Sequence, residues 1–280
     1  MAGCVSRPLD PASCPSMKVT VRPASAEDRL LYVRLLPELG VDDPPPDEER
    51  WARELQPWTL VAERGGEAVG VCTWVRLEGS GHVRTLIVDP HERRTGAGRA
   101  LLGVVAEKLR AAGCTSWALN VKPENVAAVT LYSSLGFKRA YGSVAMRFEW
   151  ATVERLPAGP AVQARPVTPH DDPALERLFS LPAGQVQGLR ASQRVLLTLV
   201  DEAGRVAALS AYNPNYPGAF PFRVGDPLMA RALLQTMRPY ALPGAEWTGL
   251  VVENDDGLVA LLRAHGASVR MNIDHYVGAL

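Results

Sequence analysis

The feature that most constrains the fold is a segment rich in glycine and arginine, residues 89–99, which joins an apolar run to a helical pattern. The run His82–Val88 predicts a strand, and the apolar spacing from Ala100 to Leu109 predicts a helix. A strand that enters a loop opening a helix directs several backbone N–H groups and the positive end of the helix dipole at one place. The segment is therefore suited to bind a phosphate or pyrophosphate.

The residues of this segment favour an anion site, but taken alone they leave a second interpretation open. Gly96 and Gly98 lack side chains that would block a close approach, and they permit unusual backbone angles. Arg93, Arg94 and Arg99 add positive charge. The spacing matches neither a P-loop, which needs Lys-Ser/Thr after the last glycine, nor the GxGxxG dinucleotide motif. The alternative is a plain strand-to-helix turn with surface arginines.

Size, charge and hydropathy narrow the class of protein. The chain has 280 residues, enough for one large or two ordinary domains, and 47% of them are apolar, enough for a proper core. The 30 basic and 30 acidic residues cancel, which argues against a general nucleic-acid binder. No run of 18 apolar residues occurs, so we expect no membrane span and no membrane partner.

Cysteine usage and the N-terminus suggest a reducing compartment. No C-x-x-C pair occurs and no histidine lies at metal-ligand spacing from a cysteine, so we expect no metal site and reduced thiols in the cytoplasm. Residues 1–16 are polar and lack a hydrophobic signal region, so we expect a flexible tail. The four cysteines are Cys4, Cys14, Cys72 and Cys114.

Residues 17–150 predict the element order β-α-α-β-β-β-α-β-α-β. Ser25, Asp47 and Asn125 are the predicted N-caps of three of the helices. The predicted strands cover 18–23, 59–63, 68–77, 83–88 and 117–121, with one or two closing strands in 137–150. The predicted helices cover 26–39, 48–55, 98–112 and 126–135.

Two motifs in this order resemble those of the GNAT acyltransferase superfamily. Arg93-x-x-Gly96-x-Gly98 resembles the family's Arg/Gln-x-x-Gly-x-Gly/Ala loop. The segment from Asn125 to Phe137, NVAAVTLYSSLGF, resembles the family's Asn-x-x-Ala-x-x-Leu-Tyr-x-x-x-Gly-Phe segment. The resemblance implies an α+β GNAT fold for residues 17–150, with a mixed, mostly antiparallel central sheet flanked by helices, and acetyl-CoA as co-substrate.

The resemblance also implies which residues hold acetyl-CoA. Backbone groups of the strand before the loop, Leu86, Ile87 and Val88, would bind the pantetheine arm, and an N–H there can serve the oxyanion. Asn125 caps its helix and by resemblance also faces the cofactor. The pyrophosphate would lie on the loop, formed by Arg93, Arg94, Thr95, Gly96, Ala97, Gly98 and Arg99.

Tyr132 is the candidate acid for the departing thiolate. A tyrosine hydroxyl has a pKa near ~10 and a thiol near ~8.5, so proton donation is roughly matched. The alternative is an aromatic residue that only packs on its helix.

The base is less clear from sequence. Ribosomal-protein N-terminal acetyltransferases of this superfamily carry a glutamate where this chain has Asn120, and an amide cannot act as a base. His82, Glu78 and Glu63 are alternatives, as is a water chain. An acidic group at the first helix–helix connection either attracts a cationic amine or is a solvated loop: Asp42, Asp43, Asp47, Glu48 and Glu49.

A linker, residues 151–160, precedes what reads as a worn second copy, residues 161–280. Matching segments lie about 143 residues apart at first and about 130 at the end. Between Asp-Pro and Arg-Ala-Leu-Leu, the first copy has His91–Gly98 and the second only Leu228–Ala230, so the loop is missing. The matches are Arg165-Pro166, Thr198–Ala207, Asp226-Pro227, Arg231–Leu234, Trp247, Glu253-Asn254 and Gly266, with Leu261-Leu262 where the first copy has Leu-Tyr.

Together these patterns predict two tandem GNAT folds, with an acetyl-CoA-dependent N-acetyltransferase site in the first and a degenerate second. The acetyl group would pass directly to a primary amine of a small molecule, a lysine or a protein N-terminus, in a monomer or homodimer. The second domain would shape the acceptor site or bind a partner. The alternatives are a non-catalytic acyl-CoA-binding module and an acyltransferase for another acyl-CoA.

Overall fold

A computed structural model describes residues 18–40, 44–77, 79–192, 194–215 and 217–280. The predicted tail 1–16 and the candidates Asp42, Asp43 and Glu78 lie outside the described residues, as do Cys4 and Cys14.

The predicted element order of the first copy is confirmed. Its strands are β1 (Val19–Pro23), β2 (Thr59–Arg64), β3 (Glu67–Leu77), β4 (Ser80–Val88), β5 (Ser116–Val121) and a single closing strand, β6 (Lys138–Glu149). Its helices are α1 (Asp28–Leu35), α2 (Glu48–Arg50), α3 (Ala97–Ala111) and α4 (Val126–Ser134).

The second copy repeats this order. Its strands are β7 (Val162–Pro166), β8 (Val195–Asp201), β9 (Val206–Asn213), β10 (Gly218–Val224), β11 (Trp247–Glu253) and β12 (Ser268–Ala279). Its helices are α5 (Asp172–Leu178), α6 (Gln185–Ala191), α7 (Ala230–Met237) and α8 (Asp256–Ala264).

The predicted helix over 48–55 is regular only at its start. After α2 the chain forms a π-helix, Trp51–Leu55, in which the Gln56 N–H donates to the Trp51 carbonyl. Pro57 follows without an N–H to donate, which ends the helix. The wider turn accompanies burial of the Trp51 ring, 1% exposed, against Tyr32 at a centroid distance of 5.4 Å.

The chain forms two compact units. The first contains the described residues up to 77, with 81–115 and 280. Its strands lie in the order β1-β2-β3-β4, and β1/β2 and β2/β3 are antiparallel. Helix α3 packs on β1, β2 and β3. Helix α1 contributes Tyr32 and Leu35 to a core that also contains Leu36, Trp51, Val61, Val71 and Ile87.

The second unit contains residues 79, 80 and 116–279, with its strands in the order β5-β12-β6-β11-β10-β9-β8-β7. The two closing strands are exchanged: β12 lies antiparallel between β5 and β6, and β6 lies antiparallel between β12 and β11. The last strand of each copy therefore pairs with the preceding strand of the other copy: β12 with β5, and β6 with β11. This exchange explains why the units do not divide at the predicted linker, 151–160; the predicted domain boundaries stay a prediction.

The turn before the first helix is the same in both copies, although the prediction of Ser25 as N-cap is wrong: α1 begins only at Asp28, after Glu27. Asp28 accepts from the Ser25 N–H at 2.6 Å and pairs with Arg22 at 2.7 Å. Asp171 accepts from the Thr168 N–H at 2.8 Å and pairs with Arg165 at 2.8 Å. The same three-residue arrangement thus opens both copies.

No helix among the described residues is both long and apolar enough to cross a bilayer.

Candidate functional site

The loop after β4 begins as an extension of the sheet. The Asp89 N–H donates to the Val69 carbonyl at 2.9 Å, which keeps the chain on β3 one residue past the strand. The Asp89 carboxylate then accepts from the His91 N–H at 3.1 Å and caps a short 3-10 turn, Pro90–Glu92. The turn redirects the chain toward α3.

Three ion pairs fix this loop to the rest of the first unit. Asp89 pairs with Arg34 at 2.6 Å, and this guanidinium, with the His91 N–H, holds the pKa of Asp89 below its usual range. Arg93 pairs with Glu38 at 2.6 Å, and Glu92 pairs with Arg64 at 2.7 Å. Sequence reasoning missed these partners, because Arg34, Glu38 and Arg64 are distant in sequence and carry no motif. The loop is therefore fixed before any ligand binds.

The turn into α3 has two residues with left-handed backbone, separated by one residue. Arg94 has φ 65° and Gly96 has φ 94°, both left-handed, and the Thr95 hydroxyl between them donates to the Glu92 carbonyl at 2.7 Å. A methyl group placed on Gly96 would meet no atom within 4 Å, so open space lies above the loop. Gly96 thus meets the predicted need for an unusual angle; Gly98 does not, because it lies in the first turn of α3.

The three arginines of the loop differ in their exposure and in the groups that their side chains contact. The Arg93 side chain is engaged by Glu38 and, at 3.4 Å, by the Val88 carbonyl. Arg94 is exposed and, within the described part of the chain, forms no ion pair. Arg99 is exposed in the first turn of α3. The turn therefore offers an anion the N-terminal N–H groups of α3, Arg94 and open space.

The end of β4 packs closely on β3. Ile87 is 3% exposed and lies in the core, whereas Leu86 and Val88 are half-buried. A Cβ at Gly70 would lie 2.9 Å from the Ile87 carbonyl, so this approach of the strands requires glycine. The Ile87 side chain is therefore a core group, and any role of these three residues in binding falls to the backbone.

Two of the predicted bases are described. Burial and the neighbouring Arg84 lower the pKa of His82, so its imidazole is neutral at pH 7. Glu63 accepts from Arg22 at 2.6 Å and is held in that pair. Of the two candidate bases, His82 on β4 is therefore stronger than Glu63 on β2.

The described acidic residues of the first helix–helix connection have other partners. Asp47 caps α2 by accepting from the Arg50 N–H at 2.7 Å. Glu49 pairs with Arg53 at 2.8 Å, and Glu48 lies 3.8 Å from Arg29. These contacts favour the solvated-loop interpretation for the described members.

The second unit carries the residues of the second motif. The Asn125 side chain accepts from the Ala128 N–H at 3.2 Å, which confirms it as the N-cap of α4. Tyr132 is 6% exposed and its ring meets Phe137 edge-on at a centroid distance of 6.0 Å. The Tyr132 ring is thus held in place by packing.

A cluster of polar side chains in the second unit was not predicted. The Glu253 carboxylate accepts from the Tyr141 hydroxyl at 3.1 Å and from Arg223. The Ser143 hydroxyl lies 2.8 Å from His275 Nε2. Its residues come from β6, β10, β11 and β12, so only the strand exchange brings them together, and no local sequence signal marks it.

The second copy keeps the start of the loop and lacks the rest. Asp226 accepts from the Leu228 N–H at 2.8 Å, as Asp89 does from His91, but the following 3-10 turn, Pro227–Met229, runs directly into α7. Leu262, fully buried, occupies the place of Tyr132. Between Asp226 and α7, where every residue is described, the second copy has no equivalent of the turn at Gly96.

One predicted match between the copies is wrong by one residue. The residue that caps α8 is Asp255, which accepts from the Leu258 N–H at 2.8 Å as Asn125 does in α4. Asn254, matched to Asn125 from the sequence, instead has φ 49° before the cap. The sequence match is shifted because the same dipeptide occurs in both copies, as Glu124-Asn125 and as Glu253-Asn254.

Arg223 joins β10 to β11 in this copy, donating to both the carbonyl and the carboxylate of Glu253. Replacing Arg223 with leucine should lower the free energy of unfolding by about 3–5 kcal/mol, because it leaves the buried Glu253 carboxylate, 5% exposed, without its cation. Urea unfolding measures the loss. The double variant Arg223→Leu/Glu253→Leu should recover most of it, and a loss below about 1 kcal/mol in the single variant would contradict the ion pair's assigned role.

Cys72 is not suited to carry an acyl group. That side chain is fully buried, and burial raises the pKa of its thiol to about 12. Cys114 is buried as well. No group of three or more His, Cys, Asp or Glu residues in the described ranges is arranged to hold a metal ion.

Comparisons with known proteins agree with these motifs. The model of the acetyltransferase (GNAT) family matches residues 30–137. Mycothiol acetyltransferase of Thermobispora bispora is 38% identical over 113 residues, which cover 34% of this chain and 38% of that protein. Ribosomal protein bS18-alanine N-acetyltransferase of Escherichia coli K12 is 44% identical over 55 residues, 20% of this chain and 37% of that protein. The chain thus spans well under two thirds of the length of these relatives.

A solved structure matches nearly the whole chain. A tandem GNAT protein from the clavulanic acid biosynthesis pathway covers 94% of this chain and 98% of its own, with a TM-score of 0.60 and 19% identity, a likeness that shows the fold. Residues 30–137 thus match the GNAT acetyltransferase family model, and nearly the whole chain shares the fold of a tandem GNAT protein.

Proposed function

We propose that this chain is an acetyl-CoA-dependent N-acetyltransferase whose active site belongs to the first repeat. The observation that carries the proposal is the turn at Gly96, left-handed and open above, at the start of α3 in the segment that matches the family model. A turn of this kind binds a pyrophosphate through backbone N–H groups, without need of further charge. Arg94 adds a positive charge, because its exposed side chain forms no ion pair within the described residues.

The groups for binding the rest of acetyl-CoA follow from the family resemblance. Backbone groups of Leu86, Ile87 and Val88 would hold the pantetheine arm, and one N–H would stabilise the oxyanion. The burial of the Ile87 side chain is compatible with this, since only the backbone is needed. The Asn125 side chain caps α4, so this residue would contribute to acetyl-CoA binding by fixing the N-terminus of that helix.

In the proposed reaction the amine nitrogen bonds to the acetyl carbon, and the carbon–sulfur bond breaks. The departing thiolate takes a proton from the Tyr132 hydroxyl, the amine nitrogen loses its proton to solvent water, and the tyrosine is reprotonated from solvent. The transfer is direct: the buried Cys72 thiol, with its pKa raised to about 12, is not a nucleophile at pH 7.

The acceptor is proposed only as a primary amine. One relative is named for mycothiol and the other for an alanine of ribosomal protein bS18, so small-molecule amines and protein amines both belong in a test. The enzyme would act in the cytoplasm as a monomer or homodimer.

The test is thiol release from acetyl-CoA in the presence of four amine classes: an amino sugar, a polyamine, a lysine-containing peptide and a peptide with a free N-terminal alanine. We expect one class to accelerate release well above hydrolysis, with a matching mass gain in the amine. Tight acetyl-CoA binding without transfer to any class would instead identify a binding module. Faster turnover of propionyl- or succinyl-CoA would assign another acyl donor.

A further inference from the structure

A cleft in the second unit lies between the chain segment that follows β6 and the C-terminal end of α7. Its volume is about 250 Å³, room for about eight water molecules at ~30 Å³ each. All of its lining residues belong to the second unit, so this unit alone forms the cleft. They are Trp150, Val153, Glu154, Gln235, Arg238 and Pro239.

The floor of the cleft is apolar and firmly packed. Trp150 and Val153 are 6% and 4% exposed and belong to a core cluster of the second unit. The Trp150 ring meets the fully buried Tyr212 edge-on, at a centroid distance of 6.3 Å. Pro239, which is exposed, adds a third apolar group. A flat apolar group placed here would therefore remove apolar surface from water.

Of the two charged groups that line the cleft, Glu154 is already matched. Its carboxylate accepts from Gln235 Nε2 at 2.8 Å and from Arg231. These two hydrogen bonds hold the pKa of Glu154 below its usual range, so the carboxylate is ionised at pH 7. The Glu154 carboxylate therefore needs no cation from a ligand.

Arg238, the other charged group, has no counter-ion in the part of the chain that the structure describes. Its one hydrogen bond there, to the Ala245 carbonyl, is long at 3.4 Å. The guanidinium carbon lies 5.3 Å from the centre of the Trp150 ring. A cation–π contact of this kind orients the guanidinium and leaves N–H donors available for an anion.

A second donor at the cleft also lacks an acceptor. Trp150 Nε1 is buried, and no group of the described residues accepts a hydrogen bond from it. A buried donor without an acceptor is unfavourable, and a water, an ion or a ligand commonly accounts for such a group. Arg238 and Trp150 therefore both favour an occupant that carries acceptors, and Arg238 favours one with negative charge.

We propose that this cleft binds a small planar carboxylate, an aromatic acid of about the size of cinnamate. The ring would lie against Trp150, Val153 and Pro239, and the carboxylate would accept from the Arg238 guanidinium in the bidentate geometry that these two groups favour. An amine would bring positive charge to Arg238, and inorganic phosphate would leave the apolar floor uncovered. The site does not depend on acetyl transfer by the first repeat.

Calorimetric titration of the full chain with cinnamate, cinnamamide and cinnamylamine tests the proposal, because these probes share a ring and differ in charge. We expect one cinnamate site per chain, about tenfold weaker binding of cinnamamide and no binding of cinnamylamine, since a hydrogen bond to a charged group contributes more than a neutral one. Equal affinity for the acid and the amide, or no cinnamate binding at millimolar concentrations, would overturn the proposal.

Arg238→Gln removes the charge and keeps a polar side chain. Cinnamate affinity should fall about tenfold, to that of cinnamamide, while cinnamamide affinity stays unchanged. The matched control is Arg155→Gln, because Arg155 is exposed on the same 3-10 helix as Glu154 and does not line the cleft. This control should bind cinnamate as the wild type does. Wild-type cinnamate affinity in Arg238→Gln contradicts the assignment.

Two further variants locate the site. Gln235→Trp fills the cleft and leaves Arg238 in place, so it should abolish binding of both cinnamate and cinnamamide; retained binding overturns the proposal. Arg94→Glu/Gly96→Glu alters the turn before α3 and should bind cinnamate as the wild type does, whereas lost binding would place the carboxylate on that turn and also overturn it. Gln235 and Arg238 are exposed, so each variant should keep the cooperative thermal melting of the wild type.

Discussion

Residues 1–157 expressed alone should give no stably folded protein, although they include the whole segment that matches the GNAT family model. In the intact chain β12 lies between β5 and β6 and pairs with both. Without it, two strands of the first repeat lose a neighbour and expose unpaired N–H and C=O groups. The fragment should aggregate or lack a cooperative melting transition, as followed by circular dichroism.

A nicked chain is the control for this truncation. A protease site inserted between Pro160 and Ala161, both exposed, allows the link to be cut after folding. The two pieces should then elute together at the size of the intact chain and separate only in denaturant, because their closing strands remain exchanged. A 1–157 fragment that melts cooperatively at the temperature of the intact chain would contradict the exchange.

Replacing Tyr132 with phenylalanine should lower kcat for acetyl transfer by about 10²–10⁴-fold, the usual contribution of a positioned acid. The substitution removes only the hydroxyl. The ring keeps its edge-on contact with Phe137, at a centroid distance of 6.0 Å, so the fold and acetyl-CoA affinity should not change. Steady-state kinetics, with affinity measured by calorimetry, separate the two effects.

Tyr240, 46% exposed, supplies the matched control. Tyr240→Phe should leave kcat unchanged, since that hydroxyl faces solvent. Unaltered turnover in Tyr132→Phe would remove the tyrosine from the reaction and leave proton donation to solvent.

Much of the first repeat could be predicted from local sequence. Gly40, Gly113 and Gly136 each end a helix with positive φ, and Asp47 and Asn125 cap helices as their side chains predict. The turn at Gly96 could also be predicted, because a left-handed residue before a helix strongly favours glycine. These features depend on residues within a few positions of each other.

The strand exchange could not be predicted in this way. Strands β6 and β12 are both twelve residues long, and their sequences start 130 residues apart, as the capping residues Asn125 and Asp255 also do. The two strands are equally long and follow equally spaced helix caps, so no local sequence signal indicates which copy each strand completes. The same limit hid the Glu253–His275 cluster, whose members come from four strands.

The loop anchors illustrate a third limit. The motif predicts that Arg93 binds phosphate, and its side chain pairs with Glu38, 55 positions earlier. Motif reasoning identified the loop but not which arginine is available. The backbone turn and Arg94 remain the groups that the proposal needs.

Calorimetric titration of the full chain with acetyl-CoA tests the central claim most directly. We predict one binding site per chain in the wild type, and no detectable binding in the double variant Arg94→Glu/Gly96→Glu, because the turn would then carry two acidic groups where a pyrophosphate should lie. Two sites per chain, or an unchanged affinity in the double variant, would contradict the assignment of the acyl-CoA site to the first repeat.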